Sequence, residues 1–191
     1  MDLHEARMLQ DVLDGTPWLE RAREFGRALR RSTRSGLLLF GPRDDEPWHL
    51  TAHLEDEARF AGVPELAPTL VRWSPPSDAP AHLSVGLDRL AAARRGESVL
   101  VVAAATPPAL LERVEDVRRR GANVFALGTG DTELSTLAHE TLSLEASVAP
   151  VVSFEGAQHL VSLTTTHAAI ERRSVRARLR RLLDTIAGPD R

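Results

Sequence analysis

Two histidines, His49 and His53, stand four residues apart in a stretch whose apolar spacing predicts a helix from Trp48 to Ala61. That spacing sets both imidazoles on one helix face with Cβ atoms about 6 Å apart, close enough to bind one divalent ion. With 7 histidines in 191 residues, such a pair arises by chance about one time in five, so the spacing alone does not make a site. Two more, His159 and His167, stand eight residues apart in the last predicted helix. On a straight helix they lie about 12 Å apart and roughly 80° round from each other, so they share an ion only if it sits between them or if one comes from another subunit. The chain has no cysteine, which excludes disulfides and thiolate ligands and leaves any metal to His, Asp or Glu. A zinc-like ion suits this donor set, against the alternative of histidines that only hydrogen-bond at a helix interface. No organic cofactor is expected. Glu55, Asp56 and Glu57 follow the pair, and such a run of acids on a helix reads as a solvated face.

These residues need a scaffold. A length of 191 residues, 42% apolar and 27% charged, fits one soluble domain with its own core, and no apolar run approaches a membrane span. The N-terminus opens an amphipathic helix and no export signal, so a cytoplasmic protein is expected. All positive side chains are arginines and the net charge is -3, so nucleic-acid binding is not expected. The arginines from Arg172 to Arg181 crowd the end of the last helix, where the macrodipole favours them, and those from Arg21 to Arg34 sit among acids on the second helix.

Apolar periodicity predicts helices at 2–14 and 17–31, then a buried strand at Gly36-Leu37-Leu38-Leu39-Phe40-Gly41. After the His49/His53 helix come a strand at Thr69 to Trp73 and a helix from His82 to Arg94. Ser98 to Ala104 is the strongest strand signal, followed by a helix at Ala109 to Arg120 opened by Pro107-Pro108. Strands at Asn123 to Leu127 and Thr141 to Leu144, a short helix between them at Thr132 to Ala138, and a long helix from about Glu155 to Ile186 complete the chain. This alternation implies an α/β domain in three α/β/α layers around a five-stranded parallel sheet. Ligands then bind beyond the carboxyl ends of the strands, at the loops Gly41 to Pro47 and Ala104 to Pro108. Trp48, beside that cleft, is a candidate lining residue. Residues 1–35 form helices that pack on the domain or on a partner subunit, and residues 36–191 form the domain itself.

The run Ser98-Val99-Leu100-Val101-Val102-Ala103-Ala104-Ala105-Thr106-Pro107-Pro108, followed by Arg120-Gly121-Ala122-Asn123-Val124 and by Leu134-Ser135-Thr136-Leu137-Ala138-His139-Glu140, resembles the centre of sugar-isomerase (SIS) domains. Leu38-Leu39-Phe40-Gly41 with His49-Leu50-Thr51-Ala52-His53-Leu54 resembles the first strand and next helix of phosphoheptose isomerases. The resemblance covers about Gly36 to Arg172 and implies a flavodoxin-like sheet and a homodimer or homotetramer joined through the first and last helices. It implies that His49 matches a metal-binding His, His53 a metal-binding and catalytic Glu, His159 a Gln and His167 a terminal-helix His. His49, His53, His159 and His167 are thus the metal candidates, and His53 and His167 the proton-transfer candidates. Arg43, Trp48 and Thr106 are the candidates for substrate contact.

Two departures stand out. The family's hydroxyl-rich phosphate loop is here Ala103-Ala104-Ala105-Thr106-Pro107-Pro108, with one hydroxyl and two residues lacking N–H groups. Its glycine-rich turn after the first strand is Pro42-Arg43-Asp44-Asp45-Glu46-Pro47, whose three carboxylates repel a phosphate unless Arg43 or a metal intervenes. The expectation is a protein that binds a carbohydrate derivative, sugar phosphate-like, without the standard isomerase activity. An active metal-dependent sugar-phosphate isomerase is the alternative.

Overall fold

The structure is a computed structural model and describes residues 3–166. His167, the arginines from Arg172 to Arg181 and the far part of the last predicted helix lie outside the described residues.

Two helices open the chain, α1 (Leu3–Val12) and α2 (Pro17–Ser32). Thr16 caps α2 by accepting the Leu19 N–H at 3.3 Å, and Pro17 sits at the first helical position, where its missing N–H costs nothing. Strand β1 (Leu37–Phe40) follows, then α3 (Trp48–Ala61), which Gly62 ends in the left-handed conformation. Strand β2 (Pro68–Leu70), α4 (Leu87–Ala91), β3 (Ser98–Ala103), α5 (Pro108–Arg119), β4 (Asn123–Gly128), α6 (Thr132–Leu137) and β5 (Glu140–Ser143) complete the alternation. A last helix, α7, runs over 154–166.

The helix expected from His82 to Arg94 is corrected by the structure. Its first residues form a 3-10 turn, and α4 spans only Leu87–Ala91. The cause is at the sheet edge: the Val85 carbonyl accepts the Arg72 N–H at 2.9 Å, which ties the segment before α4 to the chain just past β2.

All strand pairings are parallel, in the order β2-β1-β3-β4-β5. This is the flavodoxin-like order, whose direction reverses between β1 and β3, so a crevice opens above their carboxyl ends. Alternate strand residues feed two cores. Leu37, Leu39, Leu100, Phe125 and Leu127 pack with Leu19, Phe25 and Leu29 of α2, Leu50 and Leu54 of α3, and Leu160 and Val161 of α7. Leu38, Phe40, Val99, Val101 and Val124 face Leu90, Leu110, Val114 and Leu134 of α4, α5 and α6. Each such fully buried side chain contributes about 1.5–3 kcal/mol. Among the described residues no helix is long and apolar enough to cross a membrane.

Helices α2 and α7 cross at backbone contact. A Cβ on Gly26 would stand 2.9 Å from the Thr164 carbonyl carbon and 2.9 Å from the Thr165 nitrogen, neither of which can swing aside. Gly26→Ala is therefore expected to destabilise the fold by about 1–3 kcal/mol, despite a gain in helix propensity of up to about 1 kcal/mol. Urea unfolding followed by circular dichroism measures this, and an unchanged midpoint would show that the two helices have room to part.

Candidate metal centre

Helix α3 turns Leu50, Leu54 and Ala58 into the core, which places His49, His53 and Glu57 on the adjoining stripe, toward α7. There the two helices meet along a polar seam. Glu155 Oε1 lies 3.8 Å from His49 Nε2, the His53 and His159 ring centroids are 4.1 Å apart, and the Thr166 hydroxyl donates to Glu57 Oε2 at 3.1 Å. Each side repeats at helical spacing, so the seam follows from the two sequences once the helices lie side by side.

Three imidazoles converge at its centre. One ligating nitrogen from each of His49, His53 and His159 lies within 4.8 Å of the others. The His49 and His53 Nε2 atoms share a hydrogen bond of 3.0 Å. His159 is 4% exposed, and its Nε2 is buried with no hydrogen-bond partner among the described residues. An orphaned ring nitrogen in a buried position costs free energy that a ligated ion would recover. Tetrahedral zinc, with Zn–N bonds of about 2.0–2.1 Å, spaces neighbouring nitrogens about 3.3 Å apart, close to the separation seen between His49 and His53.

The electrostatics suit ligation. Burial, reinforced by the charge His53 would carry, holds His159 down to about 4. Burial, followed by the charge of His49, also lowers His53. Both rings are therefore neutral near pH 7, the form that binds a metal. Glu155, at i,i+4 to His159 and 4.0 Å from its Nε2, adds a carboxylate at the same point. The residues present thus fit a zinc-like ion held by His49, His53 and His159, with Glu155 within reach.

A cleft of about 280 Å³ adjoins the histidines. His49 and Trp48 line it from α3, Asp45 and Glu46 from the preceding loop, and Glu155 and Gln158 from α7. The loop is fastened down: Glu46 accepts from Arg72 Nε at 2.7 Å and from the Trp73 N–H at 2.9 Å, while Trp73 Nε1 donates to the Gly41 carbonyl at 2.7 Å. Gly41 is required, because a Cβ there would stand 2.7 Å from Pro47 Cδ and 2.8 Å from the Val102 carbonyl oxygen. Trp48 is 62% exposed at the mouth, an apolar face available to a ligand.

The other candidates fall elsewhere. Arg43 lies over the Trp73 ring, 5.6 Å from its centroid, and is not among the lining residues. The Thr106 hydroxyl donates to the Asp131 carboxylate, which also caps α6 by accepting the Leu134 N–H at 3.0 Å. These two bonds hold Asp131 below the usual carboxylate range. Glu57, in the acidic run, is turned to Thr166, whereas Glu55 and Asp56 pair with Arg59 on the surface. Glu155 and Gln158 were not singled out by sequence reasoning. The Glu155/His159 spacing was the available signal, and it gains meaning only when α7 lies against α3.

Fold and site together define a flavodoxin-like α/β protein with a three-histidine cluster at the switch-point crevice. Its fold is shared with two solved structures. A protein from Silicibacter pomeroyi DSS-3 assigned as a phosphosugar isomerase is 17% identical with a TM-score of 0.55, over 93% of this chain and 51% of that one. A protein from Salmonella typhimurium LT2 assigned as a sugar-binding protein is 12% identical with a TM-score of 0.51, over 90% of this chain and 47% of that one. The chain thus spans about half the length of these structures. No family model matches the sequence, and no curated protein matches it.

Proposed function

We propose that this protein binds a sugar-derived ligand in the cleft beside His49, with a zinc-like ion held by His49, His53 and His159, and that it does so without standard aldose–ketose isomerisation. The observation that carries the reading is the buried Nε2 of His159, without a partner among the described residues, in a cluster with two other imidazoles, of which His49 lines the open cleft. The shared fold with a sugar-binding protein and a phosphosugar isomerase supports the choice of ligand class. When bound, the ion would act as a Lewis acid toward a hydroxyl or carbonyl oxygen. Trp48 stacks on the apolar face of a sugar ring, and Gln158 and Glu155 exchange hydrogen bonds with its hydroxyls. His53, as a ligand, is no longer a free base.

The test is titration of the full chain with a panel of free and phosphorylated hexoses and heptoses, followed by tryptophan fluorescence with zinc and after chelation. Saturable binding that zinc strengthens is expected, and no saturable binding by any member of the panel would contradict the reading. A second reading, an active isomerase, is favoured by one observation: the Glu155 carboxylate stands at the histidines and on the cleft, where a proton-carrying group would be needed. Aldose–ketose turnover lost in Glu155→Gln would establish it in place of binding alone.

A further inference from the structure

Anions bind in open α/β folds where a helix N-terminus presents free N–H groups and a positive dipole end to the crevice. Around this cleft prolines and local bonds take several of those N–H groups. At α5, Pro107 and Pro108 have no N–H to offer, and the Leu110 and Leu111 N–H groups both donate to the Pro107 carbonyl, at 2.9 and 3.3 Å. Beside them the Thr106 hydroxyl is committed to the Asp131 carboxylate. At α3, the Trp48 N–H donates to the Glu46 carbonyl at 2.8 Å, behind the acidic loop. At α7, the Gly156 N–H donates to Ser153 Oγ at 3.0 Å and the Ala157 N–H to the Ser153 carbonyl at 2.9 Å.

The side chains agree with the backbone. Asp45, Glu46 and Glu155 line the cleft, and among the described residues its lining includes no Lys or Arg. Arg72 offsets Glu46, and an ion on the histidines would be offset in part by Glu155. Asp45 remains as an exposed carboxylate at the mouth.

We infer that the ligand of this cleft carries no phosphate: it is a neutral or ammonium-bearing polyhydroxyl molecule that donates hydrogen bonds to Asp45 and Glu155 and covers Trp48. This rests on the reading that the cleft takes a sugar-derived ligand, and it narrows that class to amino sugars and unphosphorylated sugars or polyols. The test titrates glucosamine and glucosamine 6-phosphate into the full chain, zinc-loaded and zinc-free, at constant ionic strength. Tryptophan fluorescence is the readout, with Trp48→Phe to identify the reporting ring. Glucosamine is expected to bind at least about tenfold more tightly than its phosphate ester in both states, and Asp45→Asn to narrow the gap. Equal or tighter binding of the ester, in a chain that binds either, overturns the inference and leaves the sugar reading standing. Binding of neither overturns the inference, and it overturns the sugar reading as well only when no member of the hexose and heptose panel binds.

Discussion

Replacing His53 with alanine is expected to weaken zinc binding by at least about a hundredfold, more than the loss of an outer-shell partner costs a metal site. His53 is the middle group of the cluster. Its Nε2 is 3.0 Å from that of His49, and its ring centroid is 4.1 Å from that of His159. Alanine leaves two imidazoles and the Glu155 carboxylate, one nitrogen ligand short. The same loss appears in stability, because an ion that binds only the folded chain stabilises it by about 2.7 kcal/mol at a hundred times its dissociation constant. Zinc should therefore raise the melting temperature of the wild type and leave that of His53→Ala nearly unchanged. Competition with a chelating dye gives the affinities. His82→Ala, which alters an exposed histidine in a 3-10 turn away from the cluster, is the control and should bind as the wild type does. Equal zinc affinity in wild type and His53→Ala would remove the cluster from consideration.

The second large effect is a dependence of stability on pH in the zinc-free protein. Burial holds His159 down to about 4 in the folded chain, against about 6.5 for an imidazole in water. Between those values the unfolded chain holds a proton that the folded chain does not, so stability rises with pH across the window and is lost as pH falls from 6.5 toward 4. The depressed His53 acts in the same direction. A shift of this size corresponds to roughly 3 kcal/mol for His159 at most. Urea unfolding at pH 7 and at pH 4.5, with a chelator present, should show the drop. His159→Gln, which keeps a polar side chain but removes the titrating ring, should flatten it. A pH dependence that is the same in the variant would place its origin elsewhere.

The sequence signals that proved legible were local ones. The apolar spacing of Leu50, Leu54, Ala58 and Ala61 defined α3 with both ends, because Gly62 supplies the left-handed stop. The runs Leu37–Phe40 and Ser98–Ala103 read as buried strands because every residue in them is buried, which a sheet covered on both faces requires. The interruption before α4 was not legible, since it depends on Val85 bonding across to Arg72, a partner set by the sheet edge. The site divides in the same way. His49 and His53 were visible as a pair on one helix, and the resemblance added His159. The convergence of Glu155 and Gln158 on the cleft depends on how α7 lies against α3, which no local pattern encodes. Thr106 illustrates the converse: its position after β3 suggested a ligand contact, yet its hydroxyl is committed to Asp131, a residue 25 positions away in sequence.

The central claim is that His49, His53 and His159 hold one ion. Its most direct test is the metal content of the full chain after equilibrium dialysis against zinc, measured by inductively coupled plasma mass spectrometry beside a His49→Ala/His159→Ala double variant whose folding is checked by circular dichroism. One zinc per chain in the wild type, lost in the folded double variant, is the predicted result. Zinc absent from the wild type, or retained undiminished by the variant, would contradict the account.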